Sequence, residues 1–336
     1  MTAAQRWISL DCPDQWRSAL DGIAHAFGHT WESCRALQAD SGRPTFLYAL
    51  ETDAGRFVCP IEERVFDGVT DIVTPSGFSG FVGVGDSRGV DSCWNDAASG
   101  RAYVCGYLVN NPALQNKVVS SDGTYAKNVY VLDLTRSSEE LFDRLSLNRR
   151  RALKHWEATA ERIVTDKNRV TDFFLDNYQS FFALRNASST HGLSQASLPL
   201  LADIDNVLMV GVEESGELIA AAMFGYTPHS SDYLFNVSTP RGRSHSTALI
   251  WWAVERLRSM DVPHLNLGAG LAEGDGIARF KARFGAAELA VRVAKQVYDR
   301  HAYAELCHRA GTDADDYRGY FPAYRKFPPH LTQGSP

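Results

Sequence analysis

The sequence contains no CxxC pair. Its six cysteines (Cys12, Cys34, Cys59, Cys93, Cys105 and Cys307) stand far apart, and no paired-histidine motif accompanies them. That spacing argues against a zinc site, and free buried thiols are the expectation. Long hydrophobic runs are missing too. The most apolar windows, LIAAAMFGY and ALIWWAV, fall short of the ~20 residues that span a bilayer. The start, MTAAQRWISLDCPDQW, has no basic stretch leading into an apolar one, so no signal peptide is expected and the cytoplasm is the expected compartment. Positive charge is in deficit: 34 Lys and Arg against 40 Asp and Glu give a net charge of −6. This excludes a globally basic nucleic-acid coat protein but leaves room for a local basic patch. Low-complexity tracts and short repeats are absent. With 44% hydrophobic and 22% charged residues, the composition excludes a disordered chain, a collagen and a simple coiled coil.

What is present is length. The 336 residues correspond to roughly two domains at about 150 residues each. In the first half, residues 42–66 read as two strands around the turn signal Asp53-Ala54-Gly55. Residues 74–89 are rich in Gly, Ser and Phe and read as loop. VCGYLVNNPAL reads as a strand ending at Asn111-Pro112, and NVYVLDL as another. A long helical run is expected next, capped by Ser137 or Ser138 and carrying Leu141, Leu145, Leu153 and Trp156 on one side. The domain boundary is set here, giving domains 1–145 (completed by the tail 312–336) and 146–311.

The second half reads as a helix over 170–185, three strands between residues 207 and 239, and an amphipathic helix ending before Pro263. A short strand then enters a glycine-rich loop (HLNLGAG), followed by a helix or turn (GIARFKARFGA) and a late strand. This mixed order predicts an α+β fold with a central sheet.

Four stretches resemble the FemAB/FemX family, the aminoacyl-tRNA-dependent peptidyl transferases with two GNAT-like halves. TPSGFSGFVG (74–83) is similar to the family's TPYGYGGP loop. Residues 129–157 are similar to its linking strand and basic helix. Residues 247–269 resemble its helix and D-L-G-G strand end. GIARFKARFGA (276–286) resembles its GLYRFKKGFG signature and is the most specific of the four. The resemblance implies tandem GNAT-like domains, here without the long coiled-coil arm of some members. It also implies a reaction: an amine attacks the ester carbonyl of an aminoacyl-tRNA and a peptide bond forms. The family's Phe-Lys pair at the reaction centre falls on Phe280 and Lys281 of this sequence.

Aminolysis of an ester builds negative charge on the carbonyl oxygen, and a fixed donor aimed at that oxygen is usually the largest catalytic factor. Lys281 is the expected donor. Helical spacing puts Arg279 and Arg283 on one face and Phe280 and Phe284 on another. The plain alternative is an amphipathic turn with solvated cations and a phenylalanine core. No Ser-His-Asp or Cys-His spacing suggests a covalent intermediate, so direct transfer is expected, with no resident cofactor and no metal.

Arg149, Arg150, Arg151 and Lys154 concentrate positive charge on the basic helix. They read either as phosphate contacts for the tRNA or as a solvated face balanced by Glu157 and Glu161. An acyl-CoA donor is the alternative. Ordinary GNAT enzymes hold a pyrophosphate on a glycine-rich loop at a helix N-terminus. The corresponding stretch here, Arg241 to Ser246, has Ser244 and Ser246 in place of the glycine and the small residue, with Arg241 and Arg243 still beside the helix start.

For the acceptor, the cell-wall branch grips a diphosphate with cationic residues. The resemblance places Arg35 at one such position and Thr190, within Ser188-Ser189-Thr190, at the place of an arginine. Threonine lacks arginine's bidentate fork, which argues against a UDP-linked acceptor. Tyr233 matches an aromatic of the family's acceptor wall, or is an ordinary strand residue of the core. Relatives of this kind also act in antibiotic pathways. Likeness to the alanyl-transferring members of uridyl-peptide (pacidamycin-type) biosynthesis implies Ala-tRNA as donor and a free or carrier-bound peptide amine as acceptor. A monomer is expected, because each half can cover the other's sheet. A noncatalytic GNAT-like binding pair is the remaining reading.

Overall fold

The structure is a computed structural model and describes residues 3–114, 124–154, 156–183, 196–272 and 274–326. The first stretch of chain forms β1 (Ala3–Ser9), α1 (Pro13–Leu20), α2 (Trp31–Ser41), β2 (Thr45–Thr52), β3 (Gly55–Phe66), β4 (Val69–Val73), β5 (Val82–Gly85), α3 (Val90–Gly100) and β6 (Tyr103–Val109). Then come β7 (Thr124–Asp133), α4 (Ser138–Arg144), α5 (Leu147–Ala152), α6 (Trp156–Ala160), β8 (Ile163–Val164), α7 (Lys167–Ala183) and α8 (Ser197–Asp203). The remainder forms β9 (Val207–Glu214), β10 (Glu217–Thr227), β11 (Ser230–Ser238), α9 (Ser246–Arg258), β12 (His264–Asn266), α10 (Gly276–Ala282), β13 (Ala287–Val297) and α11 (Arg300–Arg309).

The chain divides into two compact units. Unit 1 comprises residues 1–24, 42–126 and 291–336; unit 2 comprises residues 25–41 and 127–290. The sequence places the boundary near residue 145, whereas this division runs at 126/127, inside the strand β7. It also assigns α2 to unit 2, and α11 with most of β13 to unit 1.

In unit 1 the strand order is β1-β2-β3-β4-β6-β13. The turn at Asp53-Ala54 is a two-residue hairpin, since Thr52 pairs with Gly55. The stretch read as loop contains the short strand β5, whose Val82 pairs with Val58 of β3. Trp94, wholly buried, gathers the rings of Tyr48, Phe81 and Trp7 at 5.0, 5.3 and 5.9 Å. A second anchor is Asp71 on β4. It accepts from Arg64 Nε at 2.7 Å, and from Tyr324 Oη and Arg325 Nε at 2.6 Å each. The tail segment around Tyr324 is thereby tied to the sheet.

In unit 2 the order is β7-β12-β11-β10-β9-β8, with β11 and β12 parallel and the other pairs antiparallel. Side chains alternate across a strand. On β10, Ala220, Ala222 and Phe224 enter the core built on α9, while Ala221 and Met223 enter the core with Val170 and Phe174 of α7. Burial on both faces explains why this strand reads as an unbroken apolar run. Phe27 and Ala36 belong to the α7 core, which is why the segment 25–41 clusters here.

The long helix expected after residue 137 is broken into α4, α5 and α6. Its start is as read: the Ser137 hydroxyl accepts from Glu140 N at 3.2 Å, and Glu140 Oε2 accepts from Ser137 N at 2.9 Å. Leu145 then turns extended, and the next amide, Ser146 N, donates to Arg283 O at 2.9 Å instead of continuing the helix. The expected apolar positions Leu141, Leu145 and Leu153 are buried all the same.

Candidate functional site

The site is built where β12 leaves the sheet of unit 2. Asn266, the last residue of β12, is cross-strand neighbour to Asp232 on β11. Its Nδ2 donates to Asp232 Oδ1 at 3.0 Å, and its Oδ1 accepts from Gly268 N at 2.8 Å. The chain bends at Gly268, whose φ of +76 is a left-handed conformation that glycine adopts without strain. Backbone bonds clamp both sides of the bend: Leu267 N donates to Tyr130 O at 2.8 Å, and Tyr130 N to Gly268 O at 3.2 Å. Asp232 and Asn266 are 6% and 3% exposed. Burial pushes the Asp232 carboxyl up to about 7, with the hydrogen bond from Asn266 opposing the rise.

α10 faces this bend. Asp275 caps it, with Oδ1 accepting from Ala278 N at 2.7 Å and Oδ2 from Leu271 N at 2.8 Å. These backbone donors hold the Asp275 carboxyl below its usual range. Lys281 lies in the last turn. Its Nζ donates to Ala269 O at 2.7 Å, and a methyl group placed on Gly268 would stand 3.2 Å from that nitrogen. Burial brings the ammonium down to about 8; Asp275 opposes the shift, and the charge on Lys127 adds to it. The side chain is thus drawn against the glycine bend rather than into bulk water. An ammonium has three N–H donors, and the Ala269 carbonyl takes one.

The Phe280 and Phe284 rings meet at 5.4 Å, as helical spacing predicts, and Phe284 is 1% exposed. Phe280 is partly buried against the unit 2 core, and the Arg149 guanidinium lies 4.2 Å from its ring centroid. Arg149 Nη1 also donates to the Thr247 hydroxyl at the start of α9. Arg149 is therefore half-buried and its pKa is lowered, first by desolvation and then by Arg283. Arg150 is half-buried, whereas Arg151 and Lys154 are exposed. The expected basic face is thus split: Arg149 supports α10, Arg150 is half-buried, and Arg151 and Lys154 look outward.

The other expected residues make contacts of their own. Arg35, placed in the first domain by the sequence reading, lies on α2 of unit 2; it is exposed, with its guanidinium 5.3 Å from the Trp31 ring. Tyr233 stacks on Phe224 at 5.1 Å and is partly buried against the core. Arg241 is engaged by Glu214 at 2.6 Å, while Arg243 is exposed. Between them Gly242 is buried, and a Cβ there would come 1.9 Å from Ile219 O, so this turn is packed down on β10. Thr190 lies outside the described residues. An apolar crevice lined by Leu132, Leu141, Leu145, Trp251, Val254 and Phe284 has no room for a water-sized molecule and offers a substrate no catalytic group.

Sequence reasoning missed Asp232, Asn266 and Lys127. The available signal was a polar residue beside apolar neighbours in each of two strands, Asp232 before Tyr233 and Leu234, and Asn266 between Leu265 and Leu267.

Together these features form an α+β, tandem GNAT-like fold, and solved structures share it. FemX superposes with a TM-score of 0.65 at 10% identity, covering 90% of this chain and 99% of that one. The C-terminal domain of a putative lysylphosphatidylglycerol synthetase from Agrobacterium fabrum superposes at 0.53 with 14% identity, covering 88% and 95%. A conserved protein of unknown function from Bacteroides thetaiotaomicron reaches 0.60 at 10% identity, covering 88% and 100%. At these identities the likeness is one of fold. No family model and no curated protein sequence matches the chain. Among the described residues no helix is long and apolar enough to cross a membrane, and no cluster of metal-ligating side chains occurs.

Proposed function

We propose that the chain is an aminoacyltransferase that forms one peptide bond between an aminoacyl group carried by tRNA and the amine of a peptide acceptor, free or carrier-bound. The observation that carries this reading is Lys281, a half-buried ammonium fixed by Ala269 O at 2.7 Å beside a glycine bend, in a chain with the fold of FemX. The neutral acceptor amine attacks the ester carbonyl carbon, and negative charge builds on the carbonyl oxygen. Lys281 donates to that oxygen with one of its remaining N–H groups. The intermediate collapses, the C–O bond to the ribose breaks, and the ribose oxygen takes up the proton released by the amine. Because Lys281 bonds Ala269 before the substrate arrives, little reorganisation accompanies the step. Phe280 is a wall of the site, held in place by Arg149.

The donor is a co-substrate, and the reading includes no resident cofactor and no metal. Arg150, Arg151 and Lys154 supply the cationic face for the tRNA phosphates, with Arg243 an exposed further contact. Arg241, paired with Glu214, contributes less. Arg35, Tyr233 and Thr190 remain the acceptor contacts of this reading. Its finest level is an alanyl donor in peptide antibiotic assembly, working as a soluble cytoplasmic monomer.

The test incubates the full chain with total charged tRNA and candidate peptide amines and reads product mass. A shift of one amino-acid residue that vanishes after RNase treatment is the expected result. A shift that persists with acyl-CoA after RNase replaces the donor with a CoA thioester. No shift with either donor leaves the chain a noncatalytic binding protein.

A further inference from the structure

We infer that Asp232 and Asn266 are positioning residues for Lys281. Through the Gly268 amide they hold the bend whose next carbonyl, that of Ala269, fixes the ammonium. The inference rests on the reading of Lys281 given above.

The contacts run in one direction. Asp232 Oδ1 accepts from Asn266 Nδ2 at 3.0 Å, Asn266 Oδ1 accepts from Gly268 N at 2.8 Å, and Ala269 O accepts from Lys281 Nζ at 2.7 Å. Strand pairing alone explains why Asp232 and Asn266 are neighbours, since they are register partners in the β11/β12 pair. It does not explain why both are polar. Two apolar residues would fill this buried place without the cost of dehydrating a carboxyl and an amide. Nor does pairing require the second bond, from the Asn266 oxygen onward to Gly268.

Asn266 is suited to this place because one side chain both donates and accepts. The Asp232 carboxyl takes the amide NH2, which leaves the amide oxygen oriented toward Gly268 N. A leucine at 266 would leave that N–H unpaired inside the bend, at a position where φ is already +76. With the bend loosened, the Ala269 carbonyl would no longer hold Lys281 at one place.

The experiment is competitive labelling of lysines with acetic anhydride across pH on the full chain, with Lys281 read by peptide mass spectrometry. In the unaltered protein Lys281 should titrate near 8. Asp232→Ala and Asn266→Ala, checked for folding by circular dichroism, should each move that midpoint upward by at least one pH unit, while Asp232→Asn, which still accepts from Asn266 Nδ2, should leave it in place. In the transfer assay the two alanine variants should lower kcat tenfold or more with KM within about twofold. An unmoved midpoint in either folded alanine variant overturns the inference. The reading of Lys281 fails separately: it falls if Lys281→Met transfers at the normal rate, whatever the labelling shows.

Discussion

The Arg149 guanidinium lies over the Phe280 ring, 4.2 Å from its centroid, while its Nη1 donates to the Thr247 hydroxyl. One side chain thereby joins α5, α9 and α10. A cation over an aromatic face contributes about 0.5–2 kcal/mol, more when desolvated, and a charged hydrogen bond about 1.5–3. Arg149→Ala should therefore destabilise the fold by about 2–3 kcal/mol in urea unfolding. A double reversal, Arg150→Glu with Arg151→Glu, should leave stability within about 1 kcal/mol, as expected for exposed or half-exposed charges. The same reversal should weaken tRNA binding at low salt and flatten its dependence on salt by about one unit of slope per lost phosphate contact. Filter binding at several salt concentrations measures this; unchanged affinity would remove the phosphate role.

Lys281 is expected to cost stability where it serves chemistry. Its folded pKa, about 8, lies below the ordinary lysine value. The unfolded chain thus binds the proton more tightly, and stability rises as pH climbs through this window. Lys281→Met should raise stability at pH 7 by about 1–2 kcal/mol, after discounting for partial exposure, and the gain should shrink between pH ~8 and pH ~10 and be gone above that. Transfer should fall about 10²–10³-fold. Thermal unfolding and the mass-shift assay check the two halves of this prediction.

For Asp232 the sign is opposite. Its carboxyl is raised to about 7, so the protonated acid is the form the fold prefers. That preference contributes stability in full below pH ~4 and loses it as pH rises to about 7. Asp232→Asn should gain on the unaltered protein between pH 4 and pH 8 by about 2–4 kcal/mol. Melting curves across that range test it, and a flat difference would mean that this carboxyl does not titrate there.

Asp71 is a different buried carboxylate, with Arg64, Arg325 and Tyr324 as donors at 2.6–2.7 Å. Removing it strands two mostly buried cations, a change that costs about 3–5 kcal/mol. Asp71→Ala should lower the unfolding free energy measured in urea by that amount. Ending the chain at residue 320 should have a comparable effect, because it removes Tyr324 and Arg325 from the same centre.

Local chemistry made much of this legible. The Asp53-Ala54 hairpin, the Ser137–Glu140 capping box and the spacing of Phe280 and Phe284 are short-range features, visible as patterns of a few residues. Lys281 was found through motif resemblance, and its surroundings were not. Asp232 and Asn266 are 34 positions apart and meet because β11 and β12 run parallel, which no local pattern reports. The break between α4 and α5 depends on Arg283 O, supplied from far along the chain. The inward turn of Arg149 requires the Phe280 ring, so charge counting alone spread that arginine onto the solvated face.

The division of the chain has a consequence for how the molecule is made. Residues 25–41 and 127–290 alternate with the stretches of unit 1, so the backbone passes from one half to the other at 24/25, 41/42, 126/127 and 290/291. No single cut releases either half whole. Synthesis on the ribosome must deliver the final strand and α11 before the opening half can close, so protease protection of nascent chains should appear late and for both halves almost together.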